Sequence, residues 1–334
     1  MSGFRYLKVL LLSAVGILTH GATLVELFQQ FPGTNQWGSY GDKSLFGWNT
    51  NSGKLEVTWD SRKPNSYFHI PLQTVITRSN DFSLKFALTI HSMEIGVDPA
   101  KPNTFQIAIG FIQWANATRT NFYRGTGVNA LQGPRSIVEF SYFPDSGFGE
   151  TFAPTIASSD NQIVFSDNHP LPWTLEDLFE IQMSFDSGTQ TLRTTVLRNG
   201  EPYSLDGETA LKPLVYPGHF ADFQADTFAI ASYSDSGQDP RFAGSILAQG
   251  SIDDIEINLP EPALKDIQVE FQNGKWRVFF LSKTEYVYHL ERSSNLLEWS
   301  EISRKNGSGS ILSIEDAEGG NAAFYRVRAT LQMP

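Results

Sequence analysis

The chain has 334 residues, no cysteine and a formal net charge of −11. Without thiols, disulfides, Cys-based zinc sites and thiol nucleophiles are excluded, so stability has to come from a buried core, for which 25 Phe, 11 Tyr and 7 Trp are at hand. The acidity disfavours nucleic acid and anionic membrane surfaces and favours neutral or cationic partners.

Residues 1–22 read as a secretory signal peptide. Arg5 and Lys8 precede an apolar stretch, Val9–Leu18, that is too short to span a bilayer, and Gly21 and Ala22 offer a cleavage site. No later segment is apolar enough to span, so the expectation is an exported protein, extracellular, at the cell surface or periplasmic. The remaining chain is longer than one core usually holds, which predicts two domains.

From there the dominant period is two. Lys54–Trp59 follows the turn signal Asn51-Ser-Gly53. Phe82–Ile90 then alternates large apolar with small or polar residues, which places one strand face in a core and the other in water. The same alternation recurs at Thr104–Gln113, Ile137–Tyr142, Leu178–Phe185 and Thr191–Leu197. Asp186-Ser-Gly188 and Arg198-Asn-Gly-Glu-Pro202 supply residues that accept positive φ in tight hairpins. Ala115–Pro134 and Tyr203–Ala225 read as long loops, and Leu175–Phe179 as the one candidate helical turn. Leu259-Pro-Glu-Pro-Ala263 marks a boundary, because its prolines cannot continue a ladder. Residues 23–260 hold 14 basic against 26 acidic side chains, whereas 261–334 hold 9 against 10. Past the boundary, runs at Lys265–Phe271, Lys275–Leu281, Tyr286–Arg292, Ser310–Glu315 and Ala323–Ala329 predict a small antiparallel sandwich. The fold class is therefore all-β: a sandwich domain over 23–259, a linker at 260–263 and a second module over 264–334.

Two resemblances sharpen this. Tyr288-His-Leu-Glu-Arg-Ser-Ser-Asn-Leu-Leu-Glu-Trp299, Gly307, Asp316 and Phe324-Tyr-Arg-Val-Arg328 resemble a fibronectin type III-like module of exported planctomycete and verrucomicrobial proteins, where it is a non-catalytic accessory. Thr189–Gly200, Asp226–Tyr233 and Gly250–Ile257 resemble the closing strands of concanavalin A-like (laminin G-like) jelly rolls, and Val138–Asp145 resembles exported proteins of the same bacteria. That sandwich hosts lectins, glycosidases, lyases and adhesion modules, so fold does not fix function.

If Phe105, Ile107, Ile109 and Phe111 face the core, then Gln106, Ala108, Gly110 and Trp114 face outward. Lys85, Thr89 and His91, Glu139 and Ser141, Glu180 and Gln182, and Arg193 are outward on their own strands. On one sheet these would form a groove with a small-residue floor and polar walls, a surface that suits sugar hydroxyls and a stacking ring. Non-catalytic recognition of polysaccharide is the preferred reading, with Trp114, Tyr123, Arg124, Gln106 and Glu139 as ligand contacts. The alternative is a glycoside hydrolase or polysaccharide lyase using Glu139 and Glu180, the outward carboxylates that could form a pair. The second alternative is a structural or adhesion role with a protein partner. The clustered Glu-x-Asp-x-x-Glu strand of jelly-roll glycosidases is absent, as is any Gly-x-Ser-x-Gly elbow. The resemblance also implies a structural Ca²⁺ at the closing strand; Asp253, Asp254 and Glu26 offer hard oxygen ligands for it. Alternation places Asp254 with Glu256 on one strand face and Asp253 on the other.

Overall fold

The structure, a computed structural model, describes residues 23–30, 37–124, 134–145, 150–165, 169–170, 172–203, 211–260, 264–272, 275–284, 286–295, 298–316 and 324–331. The leader assigned to 1–22, linker residues 261–263 and loop residues 125–133 and 204–210 lie outside the described residues. The chain divides into two compact units on either side of Pro260.

In the first unit the strands are, in order, β1 (Thr23–Glu26), β2 (Gly38–Tyr40), β3 (Phe46–Asn49), β4 (Lys54–Asp60), β5 (Ser66–Ile76) and β6 (Phe82–Ile95). They continue with β7 (Ile107–Ile112), β8 (Ile137–Phe143), β9 (Thr151–Phe152), β10 (Thr155–Ala157), β11 (Ile163–Phe165) and β12 (His169–Pro170). The last six are β13 (Phe179–Asp186), β14 (Thr191–Arg198), β15 (Glu201–Pro202), β16 (Leu214–Val215), β17 (Ala225–Ser232) and β18 (Ile246–Asn258). The first sheet runs β15-β14-β13-β6-β18-β4-β3, with β1 added to β18 and β16 to β14. The second runs β11-β10-β8-β7-β17-β5-β2, with β9 against β8. Strand pairing is antiparallel throughout, and hairpins such as β3–β4 and β13–β14 are joined by pairs distant in sequence such as β6–β18 and β7–β17, as in a jelly-roll sandwich.

The inner faces interlock through rings. Phe82 of the first sheet meets Phe111 of the second edge-on at 5.5 Å between centroids, and Phe86 meets Phe140 at 5.6 Å. Phe111 also meets Phe228, so the odd-numbered residues of β7 face inward, and Ala108 and Gly110 face away from the core. Without a disulfide, this aromatic layer holds the sandwich together.

Local chemistry sets the turns. Asn199 (φ 53°) and Gly200 (φ 85°) form the two-residue loop between Arg198 and Glu201, the two positive-φ positions that a tight hairpin demands. At the β13–β14 loop the positive φ falls on Gln190 (54°) rather than on Gly188, because four residues separate Asp186 from its partner Thr191. Leu175–Glu176 is only a turn; the helical turn is Trp114–Ala117, inside a stretch that composition marks as loop.

The second unit contains β19 (Lys265–Gln272), β20 (Lys275–Leu281), β21 (Tyr286–Ser293), β22 (Ser300–Asn306), β23 (Ile311–Glu315) and β24 (Phe324–Leu331). They form two three-stranded sheets, β19-β20-β23 and β22-β21-β24, joined by the Phe280 and Tyr288 rings at 4.7 Å. β22 shows no alternation, being mostly exposed, and is a strand through its pairing with β21. Buried Asp316 accepts hydrogen bonds from Arg292 Nη1 (2.9 Å) and the Tyr325 hydroxyl (2.8 Å), which ties the Glu-Arg-Ser and Phe-Tyr-Arg segments to one acid. Among the described residues, no helix is long and apolar enough to cross a membrane.

Candidate ligand-binding site

Register places the outer face of the second sheet in two cross-strand rows. One reads Gly38, His69, Ala229, Gly110, Glu139, Thr155; the next reads Tyr40, Tyr67, Ala231, Ala108, Ser141. Each row therefore has at least one aromatic ring at the β2–β5 side, small residues across β17 and β7, and a polar one on β8, continued in the first row by Thr155 of β10. The small floor is needed: a Cβ on Gly110 would press on the Val138 carbonyl oxygen and lie 2.5 Å from the Glu139 Cα.

The segment after β7 folds back over this face. The Trp114 backbone N–H donates to Asp226 Oδ1 at 2.8 Å, and the Thr118 hydroxyl closes the helical turn by donating to the Trp114 carbonyl at 2.9 Å. The carbonyls at the end of that turn are satisfied by the sheet: the Tyr67 hydroxyl donates to Ala117 (3.0 Å) and the Tyr40 hydroxyl to Thr118 (3.2 Å). Asn65 Nδ2 donates to the Phe122 carbonyl at 3.0 Å. Tyr123 then lies against Gly237 (φ +70°), where any Cβ would be 2.5 Å from the ring.

Beneath this segment lies a buried ionic knot. Glu139, 1% exposed, receives Arg124 Nε at 2.6 Å and a second contact from Arg124 Nη2, the guanidinium itself being 2% exposed. Ser141 Oγ (3.1 Å) and the Tyr233 hydroxyl (3.0 Å) complete the carboxylate's shell. Burial, and then the charge of Glu139, push the Tyr233 and Tyr67 hydroxyls well above the ordinary tyrosine range, so both stay protonated donors. Arg135 donates to the Tyr123 carbonyl from Nε (3.2 Å) and Nη2 (3.0 Å). Gln106, just before β7, is buried, and neither amide atom has a hydrogen-bond partner among the described residues.

The open part of the face is its aromatic lip. Tyr40 is 38% exposed, and Trp114 and His69 are half-buried. Trp114 lies on the His69 ring at 4.0 Å between centroids, with Tyr40 edge-on at 5.4 Å and Tyr67 at 6.0 Å. Burial lowers the His69 pKa, so at neutral pH an uncharged imidazole backs the indole.

The structure thus brings Gln106, Trp114, Tyr123, Arg124 and Glu139 to one face, with Trp114 and Tyr123 part-exposed and the other three beneath the surface. His69, Tyr40, Tyr67 and Tyr233 were missed from sequence. Tyr67 and His69 do alternate with Phe68 and Ile70, but Pro71 disguises the strand; it pairs with Thr227 where the β5–β17 register shifts.

Two expectations need correction. Glu139 and Glu180 are not a catalytic pair, for β8 lies in the second sheet and β13 in the first. Both point out of the sandwich, so they are separated by more than the ~10 Å between stacked sheets, beyond the ~9.5 Å limit of an inverting pair. Glu180 instead pairs with Lys85 at 3.3 Å. The facing of the acids on β18 also changes. Ile252 and Ile255 are both buried, which alternation forbids three residues apart; a bulge at Asp253–Asp254, with Asp254 at φ 50°, inserts the extra residue and leaves both acids outside the core. Glu26 does come beside them, opposite Ile255. Its carboxylate is taken by the Phe28 N–H (2.7 Å), and Asp253 Oδ1 by the Asp254 N–H (2.9 Å). No group of three His, Asp or Glu converges on a metal position among the described residues.

No protein-family model matches the chain, and no curated protein does. Solved structures similar to it include peanut lectin at 14% identity and TM-score 0.40, covering 70% of this chain and 98% of the lectin. Lotus tetragonolobus seed lectin aligns at 12% identity and TM-score 0.41, over 72% of this chain and 100% of the lectin. Lectin II from Ulex europaeus gives 10% identity and TM-score 0.38, over 72% and 100%.

Proposed function

We propose that the protein is an exported, non-catalytic binder of polysaccharide, and that the lip of the second sheet's outer face is where the glycan docks. The observation that carries this reading is the Tyr40–Trp114–His69 ring cluster, part-exposed and fixed from behind by a buried, charge-paired support. Pyranose rings present apolar C–H faces to aromatic planes and hydroxyls to polar edges, so rigid rings beside hydrogen-bonding groups suit them. Preorganised rings also lose little entropy on binding. Export rests on the leader-like residues 1–22, and the small C-terminal sandwich is read as an accessory module.

The test is retention of the purified chain on a panel of soluble and insoluble polysaccharides, with any released sugars assayed in the same tubes. Selective retention without products is expected. Trp114→Ala and Tyr40→Ala should each weaken it by roughly tenfold, the equivalent of one stacking contact, while thermal unfolding stays cooperative. Failure to bind any glycan would overturn the proposal, and sugar release would replace binding with catalysis.

A further inference from the structure

Between Gln113 and Arg135 the sequence places Arg119, Arg124 and Arg135 and no Asp or Glu. This is a local reversal in a body where acidic side chains outnumber basic ones by 26 to 14. The described part of the segment is also the one that packs onto the rings of the binding face. Glu139 compensates Arg124. Arg135 lies near that same pair and donates to the Tyr123 carbonyl; burial, then the Arg124 charge, push its pKa down to about 10.

Arg119 is placed differently. It is exposed and follows directly on Thr118, whose carbonyl holds the Tyr40 hydroxyl at the lip. Its backbone N–H is anchored to the Asn116 carbonyl at 3.1 Å and its carbonyl to the Phe122 N–H at 3.0 Å, whereas its guanidinium has no ion-pair or hydrogen-bond partner among the described residues. Asp226 accepts from the Trp114 N–H and the Thr227 hydroxyl, and Asp42 pairs with Lys63 at 3.2 Å.

We infer that the lip selects an anionic polysaccharide, one carrying carboxylate or sulfate groups, with the Arg119 guanidinium as the rim contact for the anion and the Tyr40 and Trp114 rings as the stacking platform. The inference rests on the carbohydrate reading above and narrows its ligand class. A guanidinium presents a planar fork of donors that matches both oxyanions. The net acidity of the body does not veto such a ligand. Screening at physiological salt confines charge effects to about 8 Å, so an anion at the rim responds to the arginines beside it.

The experiment compares the purified chain and its Arg119→Gln variant on paired matrices: polygalacturonate against its methyl ester, and a sulfated galactan against its desulfated form. At least one charged matrix should retain the protein about tenfold better than its neutralised partner. The better arm identifies carboxylate or sulfate. About 1 M salt should remove that preference. Arg119→Gln should lower retention on the charged matrix by about three- to tenfold and leave the melting temperature unchanged, with Arg119→Lys recovering part of it. Equal retention of charged and neutralised forms, or an unaltered Arg119→Gln variant, would overturn the inference while leaving carbohydrate binding in place. No retention on any of the four would overturn the inference, and failure across the wider polysaccharide panel would overturn the carbohydrate reading with it.

Discussion

Glu139 tests whether the face is a rigid support or a ligand pocket. Its carboxylate receives both Arg124 nitrogens, the Ser141 hydroxyl and the Tyr233 hydroxyl, all at a site 1% exposed. Glu139→Ala strands the Arg124 guanidinium, 2% exposed, without its counter-charge and leaves two buried hydroxyls without an acceptor. Breaking a buried pair in this way costs about 3–5 kcal/mol, and the two orphaned hydroxyls push the value towards the upper end. For a unit of this size each kcal/mol shifts Tm by about 2–4 °C, so the expected fall is roughly 6–20 °C. Guanidinium denaturation should show the loss as a lower midpoint at unchanged slope. Arg124→Met combined with Glu139→Leu should recover much of it, because an apolar pair leaves no stranded charge. A single-variant cost below about 1 kcal/mol would refute the reasoning. So would unchanged stability with glycan retention lost, which would make Glu139 a ligand contact rather than a support.

Two further outcomes follow from close approach and from burial. Gly110→Ala should destabilise the body by about 1–3 kcal/mol or more, since the added methyl meets the Val138 carbonyl and the Glu139 Cα rather than movable side-chain ends; a melting temperature within a degree of the parent would contradict this. Asp222 accepts the Arg78 N–H at 2.8 Å, and burial raises its pKa above 3.8. The folded state therefore binds this proton more tightly, and stability falls as pH rises from about 3.8 through the raised value. Asp222→Asn keeps the acceptor and removes the charge, so its stability relative to the parent should grow with pH across that window and level off above it. A difference between the two proteins that does not change with pH would show that burial of the charge is not what Asp222 contributes.

Alternation is a local property, and it carried most of the secondary structure. The apolar steps of Phe82–Ile90 lie inside β6, and the outward reading of Gln106, Ala108 and Gly110 is what the ring contacts of Phe111 require. Asn199-Gly200 could be read as a hairpin because its conformational demand sits in two adjacent residues. Where a strand owes its existence to a partner, as β22 does, or is broken by a proline at a register shift, as β5 is, the local pattern was silent.

What alternation cannot carry is which strands become neighbours, because that depends on contacts between residues outside any local window, from a few tens of positions apart to about a hundred. β8 pairs with β7 and β10, while β13 pairs with β6 and β14, and this alone separates Glu139 from Glu180. One extra residue at Asp253–Asp254 moves an acid to the other side of the strand, a change that a two-residue period cannot anticipate. By itself the sequence determined an all-β chain, the inward and outward faces of its main strands and a reversal of charge between Gln113 and Arg135. Only the tertiary structure decided that this positive segment folds back onto Tyr40, Tyr67 and His69. Hydroxyls of β2 and β5 cap the carbonyls of its helical turn, and Glu139 of β8 neutralises its buried arginine.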